Sequence, residues 1–203
     1  MFVTPLLAAI FVSIQAAPPA EAPSLGRAPA TASPTAKAEG GKLLGLLGEH
    51  LIDAQGKKVD TKTATEGRKI IAIYFSAGWC PPCRKFTPKL VEFAKKNKES
   101  LDFTLVFVSS DRSAEAQAKY MKQYKMPFFA MPFDTAQLKL IKQAYGGSGI
   151  PNLVLLNPDG SVIKGSYETD GKYSPRKRKS YIGPDPVLAE LGKLIKQDAK
   201  KTA

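Results

Sequence analysis

The sequence contains only two cysteines and one histidine among its 203 residues. A structural zinc site usually takes four Cys or His ligands, so these three side chains leave it one ligand short. A disulfide framework is also excluded, because it uses several cysteine pairs with longer loops between them. We therefore expect no bound metal, no cofactor other than the pair Cys80 and Cys83, and an ordinary surface position for His50.

Acidic residues are scarce relative to basic ones: 18 Asp and Glu stand against 30 Lys and Arg, which gives a formal net charge of +12. Such an excess attracts nucleic acids and anionic surfaces. Here, however, the lysines are spread along most of the chain, and no nucleic-acid-binding motif or interleaved aromatic platform accompanies them. We interpret the excess as a solvated basic surface and expect no nucleic-acid partner.

The apolar run at residues 6–14 is too short for a membrane span, which needs about 20 residues. It is long enough for the hydrophobic region of a secretory signal, and small residues follow it. We predict a signal peptide over residues 1–22, export to the periplasm or the exterior, and no integral membrane span after cleavage. An uncleaved or disordered apolar tail is the alternative, because no Lys or Arg precedes the run.

An Ala/Pro-rich stretch without an apolar period predicts a disordered linker at residues 23–41. One folded domain is predicted to follow over residues 42–197, and residues 198–203 are predicted to form a basic tail. Continuous β-branched and aromatic runs at 69–75 and 103–108 predict two strands buried on both faces of a sheet.

Helices are predicted where apolar residues recur at helical spacing. They cover residues 86–98, residues 113–124 with Ser113 as cap, residues 134–146 with Asp134 as cap, and residues 186–196. Turn residues predict one hairpin around 53–56 and a second one between strands at 152–156 and 161–164. This alternation predicts an α/β fold with a central sheet flanked by helices on both faces.

The two cysteines occur as Cys80-Pro81-Pro82-Cys83, between a predicted buried strand and a predicted helix. A disulfide that closes so short a loop removes little entropy from the unfolded chain and adds little stability, so we expect the pair to serve through its reactivity. At a helix N-terminus the free N–H groups and the macrodipole stabilise a thiolate. We therefore predict Cys80 as the nucleophile and Cys83, one turn later and below the surface, as the resolving cysteine. Pro81 and Pro82 suit the first helical turn.

The string YFSAGWCPPCRKFTP at residues 74–88 resembles the active-site segment of the tryparedoxin/nucleoredoxin branch of the thioredoxin superfamily. The likeness continues at 125–127, 131–133 and 149–151, and covers about half the chain. It implies a thioredoxin-like fold with a central mixed β-sheet, and thiol–disulfide exchange with protein substrates.

The resemblance also assigns further site residues. It implies that Pro151 follows a cis peptide bond beside the two sulfurs, and that the Ile150 backbone binds an extended substrate segment. It implies an exposed Trp79 beside the nucleophile, and it places Pro81 and Pro82 in the same substrate-binding surface.

One position departs from ordinary thioredoxins, which carry a buried Asp six residues before the first cysteine. That position is Tyr74 here, as in tryparedoxin-like proteins, so the proton acceptor for Cys83 is open between bound water, Glu92 and Asp111. The predicted export is a second departure, because cytosolic members of the branch have no such signal. An exported member parallels the TlpA/ResA-like bacterial proteins, which reduce selected disulfides outside the cytoplasm.

Residues 172–179 carry five basic residues and no acidic one. The run predicts an exposed insertion after the last strand. We interpret it as a solvated loop, with acidic partners or an anionic membrane surface as the alternatives.

The sequence thus favours a monomeric enzyme that exchanges a dithiol for a disulfide with protein substrates, as a reductase recharged by a separate redox partner. The competing hypothesis is a thioredoxin-fold binding module without redox turnover. The presence of both cysteines argues against it, because a redox-inert module has no need of them.

Overall fold

A computed structural model describes residues 41–100 and 102–202, with side chains described as far as residue 197. The predicted signal peptide and the predicted linker up to residue 40 lie outside the described residues. Within the described part of the chain, no helix is both long enough and apolar enough to span a bilayer.

Helices and strands alternate along the described residues. In chain order they are α1 Gly41–Leu47, β1 His50–Ile52, β2 Lys58–Asp60, α2 Thr61–Thr65, β3 Ile70–Ser76, α3 Pro81–Lys96, β4 Phe103–Ser109, α4 Ala114–Tyr124, β5 Phe129–Ala130, α5 Ala136–Tyr145, β6 Asn152–Leu156, β7 Val162–Gly165, β8 Glu168–Thr169, β9 Lys172–Tyr173, a 3₁₀ turn at Arg178–Ser180, and α6 Asp185–Thr202.

Seven strands form one mixed sheet in the order β2-β1-β5-β4-β3-β6-β7. Strand β3 is central: it pairs in parallel with β4 and antiparallel with β6. Every residue of β3, β4 and β6 is buried, which confirms the interpretation of the continuous apolar runs as strands covered on both faces.

The alternation of side chains along β3 divides the core in two. Ile70, Ala72 and Tyr74 face one apolar cluster, which α3, α4 and α6 cover. Ile71, Ile73 and Phe75 face the other cluster, which α1, α2 and α5 cover. The chain therefore has the predicted thioredoxin-like α/β architecture, with helices on both faces of a central mixed sheet.

The element boundaries differ from the predictions at several points. Thr135, not Asp134, caps α5, because its hydroxyl accepts the Leu138 N–H while Asp134 adopts a left-handed backbone with φ 51°. Helix α3 ends at Lys96, two residues before the end of the predicted amphipathic run at 98. Helix α6 continues to Thr202, into the segment predicted as a basic tail.

Candidate active site

The cysteine pair lies where the central strand passes into a helix. Strand β3 ends at Ser76, three residues follow, and Cys80 caps α3 with an extended backbone. Its Sγ accepts the N–H of Cys83 at 3.4 Å, and the two sulfurs form a disulfide. Pro81 and Pro82 occupy the first turn, as predicted, where the missing N–H groups cost no hydrogen bond.

Both cysteines are buried in the disulfide form: Cys83 is fully buried and Cys80 is 3% exposed. Both pack against Ala77 and Ile150 in a small apolar cluster, and the neighbouring Pro81 and Pro82 are exposed. The helix-capping position of Cys80 is the feature that supports the predicted order, with Cys80 attacking first and Cys83 resolving.

Trp79 directly precedes Cys80 and forms an exposed rim beside it. Its side chain is 55% exposed, as the resemblance implied. Its indole Nε1 donates a hydrogen bond to the Ser110 carbonyl at 2.9 Å, which fixes the ring at the end of β4. A large apolar ring held in this way offers contact area without the entropy cost of ordering it on binding.

Neither carboxylate considered as proton acceptor contacts Cys83 in the described part of the chain. Asp111 accepts the Gly78 N–H at 2.8 Å and the Ser109 hydroxyl at 2.8 Å, so it holds the backbone that leads into the motif. Glu92 is exposed on α3 and pairs with Lys96, which lowers the pKa of its carboxyl group.

A cluster of hydroxyl groups lies beneath Cys83 instead, and sequence reasoning missed it. Thr87 donates to the Cys83 carbonyl at 2.9 Å, and its oxygen is 2.8 Å from the Tyr74 hydroxyl. The Tyr120 hydroxyl contacts Thr87 and also lies 3.1 Å from Ser76 Oγ. The available signal was the spacing of Thr87, one turn after Cys83 on the buried face of α3.

Burial raises the pKa of Tyr74 and, to a smaller extent, that of Tyr120. Both phenols therefore remain protonated at neutral pH and donate hydrogen bonds rather than accept a proton as bases. Tyr74, at the position that departs from ordinary thioredoxins, is thus a neutral group, and the contacts of the described residues assign no side chain as the proton acceptor for Cys83.

The Ile150–Pro151 peptide bond is cis, as the resemblance implied. The Ile150 carbonyl oxygen lies 3.7 Å from Cys80 Sγ, so this loop borders the disulfide directly. His50, in contrast, begins β1 with an exposed side chain and is separated from β3 by two strands. The structure brings Trp79, both prolines, Ile150 and Pro151 around the sulfurs and leaves His50 away from them.

The basic side chains of the run at 172–179 are exposed, as expected, but the backbone of the run is attached to the rest of the fold. Lys172 and Tyr173 form β9, which pairs with β8. The Tyr173 hydroxyl donates to the Tyr145 carbonyl, and the Pro175 carbonyl accepts the Ser148 N–H at 3.0 Å. These contacts attach the run to the end of α5 and to the loop that carries the cis bond.

Comparison with known proteins supports this geometry. The sequence profile of the "Thioredoxin-like" family matches residues 67–162. Human nucleoredoxin is 45% identical over 120 residues, which are 58% of this chain and 27% of nucleoredoxin. Tryparedoxin from Trypanosoma brucei brucei is 39% identical over 100 residues, which are 48% of this chain and 67% of that protein. The chain thus spans only about a quarter of the nucleoredoxins that it matches.

Solved structures show the same fold. Native tryparedoxin I from Crithidia fasciculata aligns with a TM-score of 0.53 at 35% identity, covering 62% of this chain and 85% of that one. A thioredoxin from Wuchereria bancrofti aligns with a TM-score of 0.56 at 32% identity, covering 72% of this chain and 95% of that one.

Proposed function

Since this chain belongs to the tryparedoxin and nucleoredoxin branch of the thioredoxin superfamily of thiol–disulfide oxidoreductases, we propose that it reduces disulfides in protein substrates through Cys80 and Cys83, outside the cytoplasm. The observation that carries the proposal is the position of Cys80 Sγ. It accepts the Cys83 N–H at the start of α3 and lies 3.7 Å from the Ile150 carbonyl oxygen.

The first step needs Cys80 as a thiolate. The N–H of Cys83 and the macrodipole of α3 stabilise a negative charge on Sγ, which lowers the pKa of a cysteine at such a position. The thiolate attacks one sulfur of a substrate disulfide, and the other substrate sulfur leaves as a thiolate. Cys80 is then joined to the substrate in a mixed disulfide.

The second step returns the substrate as a dithiol. Cys83 gives its proton to water, and its thiolate attacks Cys80 Sγ. The bond between Cys80 and the substrate breaks, and the second substrate sulfur leaves as a thiolate that takes up a proton. Two electrons have then moved to the substrate, and the Cys80–Cys83 disulfide needs an external dithiol reductant to be reduced again.

We expect a preference for polypeptides over small disulfides, because partly exposed backbone at Ile150 lies beside the disulfide. The backbone before the cis bond offers hydrogen-bonding groups to an extended segment, in the manner of strand addition. Trp79, Pro81 and Pro82 add an exposed apolar rim. A bound segment would place its own disulfide against Cys80.

The remaining parts of the proposal rest on the sequence. The apolar run at residues 6–14 supports export to the periplasm or the exterior. We further propose a monomer that works without a metal or an organic cofactor, since the redox-active pair carries the electrons.

Turnover of a protein disulfide tests the proposal. Catalytic amounts of the protein should accelerate the reduction of insulin by a small dithiol, and Cys80→Ser should abolish the acceleration. The matched control is Ser161→Ala, which removes an exposed hydroxyl from the turn between β6 and β7, at the end of the sheet away from Cys80, and should retain turnover. The binding-module hypothesis would be favoured if the wild-type protein failed to accelerate the reaction while Cys80→Ser still bound insulin as tightly as the wild-type protein does.

A further inference from the structure

The segment at residues 166–182, which we call the arm, is fixed against the loop of the cis bond. Tyr167 donates its hydroxyl to the Gly149 carbonyl at 3.0 Å, and Tyr181 donates its hydroxyl to the Pro151 carbonyl at 2.8 Å. The two tyrosine rings pack at 4.9 Å between centroids. The arm therefore holds a set position beside the redox-active pair.

The arm is strongly basic where it is exposed. Arg176, Lys177, Arg178 and Lys179 follow one another with exposed side chains. Among the described residues, none of these four side chains forms an ion pair with an acidic side chain. Glu168, an acidic residue of the arm, pairs with Lys164 instead. Four adjacent like charges without acidic partners create a local positive potential that attracts an anionic ligand.

A groove connects this charge with the active site. It has a volume of about 480 Å³ and is lined by Ser148, Gly149, Ile150, Tyr167, Arg178 and Tyr181. Ile150, whose carbonyl oxygen lies 3.7 Å from Cys80 Sγ, thus lines the same groove as Arg178. Arg presents a planar fork of donors that matches a carboxylate in two parallel hydrogen bonds.

We propose that the arm selects substrates, and that the groove binds an extended, acidic polypeptide segment next to the substrate disulfide, with Arg178 contacting a carboxylate. This inference rests on the proposed function and specifies the substrate class of the same site. A polypeptide fits better than a membrane surface, because the groove is concave and one wall is the peptide backbone at Ile150, which pairs with an extended chain.

The expected size of the preference follows from exposure. Because Arg178 is exposed, one ion pair there changes kcat/KM by about two- to fivefold. The basic neighbours act at longer range, and their effect decays within a Debye length of about 10 Å at 0.1 M salt. The preference should therefore be largest at low salt and should fall as salt is added.

The test compares three disulfide-linked peptides that differ only in the residues flanking one cysteine: Glu-Asp-Glu, Gln-Asn-Gln or Lys-Arg-Lys. The readout is kcat/KM for each charged peptide divided by that for the neutral one, so a general loss of activity cancels. Arg178→Glu and Lys177→Glu/Arg178→Glu are compared with Lys57→Glu/Lys58→Glu. The control pair has the same charge change as the double variant and lies at β2, on the opposite edge of the sheet from β7.

We expect the wild-type protein and the control to prefer the acidic peptide by a factor of about two to five or more, and the arm variants to lose or reverse that preference. Equal ratios for all peptides with the wild-type protein would overturn the proposal. So would equal loss in the arm variants and the control, since the net charge alone would then explain it.

A binding measurement separates this proposal from the proposed function. The acidic peptide with its cysteines replaced by serine should quench or enhance Trp79 fluorescence in the oxidised protein, with weaker binding in Arg178→Glu. If no peptide is reduced but this binding persists, the proposed function fails and the docking surface stands. If Arg178→Glu instead releases the protein from anionic lipid vesicles without changing peptide binding, the arm is a membrane contact and the proposal is wrong.

Discussion

Replacing Thr87 by valine tests the hydroxyl cluster beneath Cys83. Valine keeps the shape of threonine but removes the oxygen that contacts the Cys83 carbonyl and the hydroxyls of Tyr74 and Tyr120. Tyr120 keeps its contact with Ser76, whereas the buried Tyr74 hydroxyl loses its contact with Thr87. An unsatisfied buried hydroxyl costs about 1–3 kcal/mol, so Thr87→Val should lower the free energy of unfolding by that amount.

Removing the Tyr74 hydroxyl should cost less stability than removing the Thr87 hydroxyl. In Tyr74→Phe, Thr87 still contacts Cys83 and Tyr120, so the loss should be about 0.5–1.5 kcal/mol. The double variant Thr87→Val/Tyr74→Phe removes both ends of the broken contact and leaves no orphaned phenol. Its free energy of unfolding should therefore be no lower than that of Thr87→Val alone.

Urea denaturation of the oxidised proteins measures this double-mutant cycle. Thr104→Val is the matched control, because Thr104 is buried in β4 and shows no side-chain hydrogen bond in the described part of the chain; its change should be within about 0.5 kcal/mol. If the two single losses simply add in the double variant, the three hydroxyls are not coupled and our account of the cluster is wrong.

Three further predictions concern Gly147 in the loop beside the arm, Tyr181 in the arm, and Trp79. Gly147→Ala should destabilise the fold by about 1–3 kcal/mol, because a Cβ there would lie 1.9 Å from the Tyr167 ring. Gly45→Ala is the control: it has open space around it and should stabilise α1 by up to about 1 kcal/mol. Thermal unfolding should show a lower midpoint for Gly147→Ala and no loss for Gly45→Ala. Desolvation of its hydroxyl raises the pKa of Tyr181 to about 12, above the value near 10 of an unfolded tyrosine, so the stability of the wild-type protein relative to Tyr181→Phe should be constant below pH about 10 and should fall as the pH rises to about 12; a constant difference between their urea midpoints over that range would refute this. Trp79→Ala should slow the reduction of a protein disulfide more than that of a small one, and equal slowing of both would refute a docking role for the indole.

The fold was predictable wherever the sequence carries a strong local pattern. The residues of β3 and β4 are mostly apolar, β-branched or aromatic along both strands, which is typical of strands covered on both faces. Ser113 was identified as a cap because it directly precedes an acidic first turn. Asp134 and Thr135 are both good caps and adjacent, so the pattern did not distinguish them; the left-handed backbone of Asp134 decided between them.

The position of the cysteine pair was predictable, and its surroundings were less so. A Cys-Pro-Pro-Cys motif between a buried strand and a helix places Cys80 at a helix N-terminus from local information alone. The hydroxyl cluster depends on Tyr120, which α4 brings to Thr87 from 33 residues away. The position of the basic run depends on contacts of Tyr173 and Pro175 with a distant loop, and no sequence period reports such contacts.

Trapping of the reaction intermediate tests the central claim, that Cys80 attacks and Cys83 resolves. Cys83→Ser should accumulate a mixed disulfide when it is reduced and mixed with a disulfide-bonded protein, and mass spectrometry of its peptides should locate the bond on Cys80. Cys80→Ser should accumulate none, since its remaining cysteine is fully buried in the structure. A mixed disulfide on Cys83 in Cys80→Ser, or none in Cys83→Ser, would contradict the account.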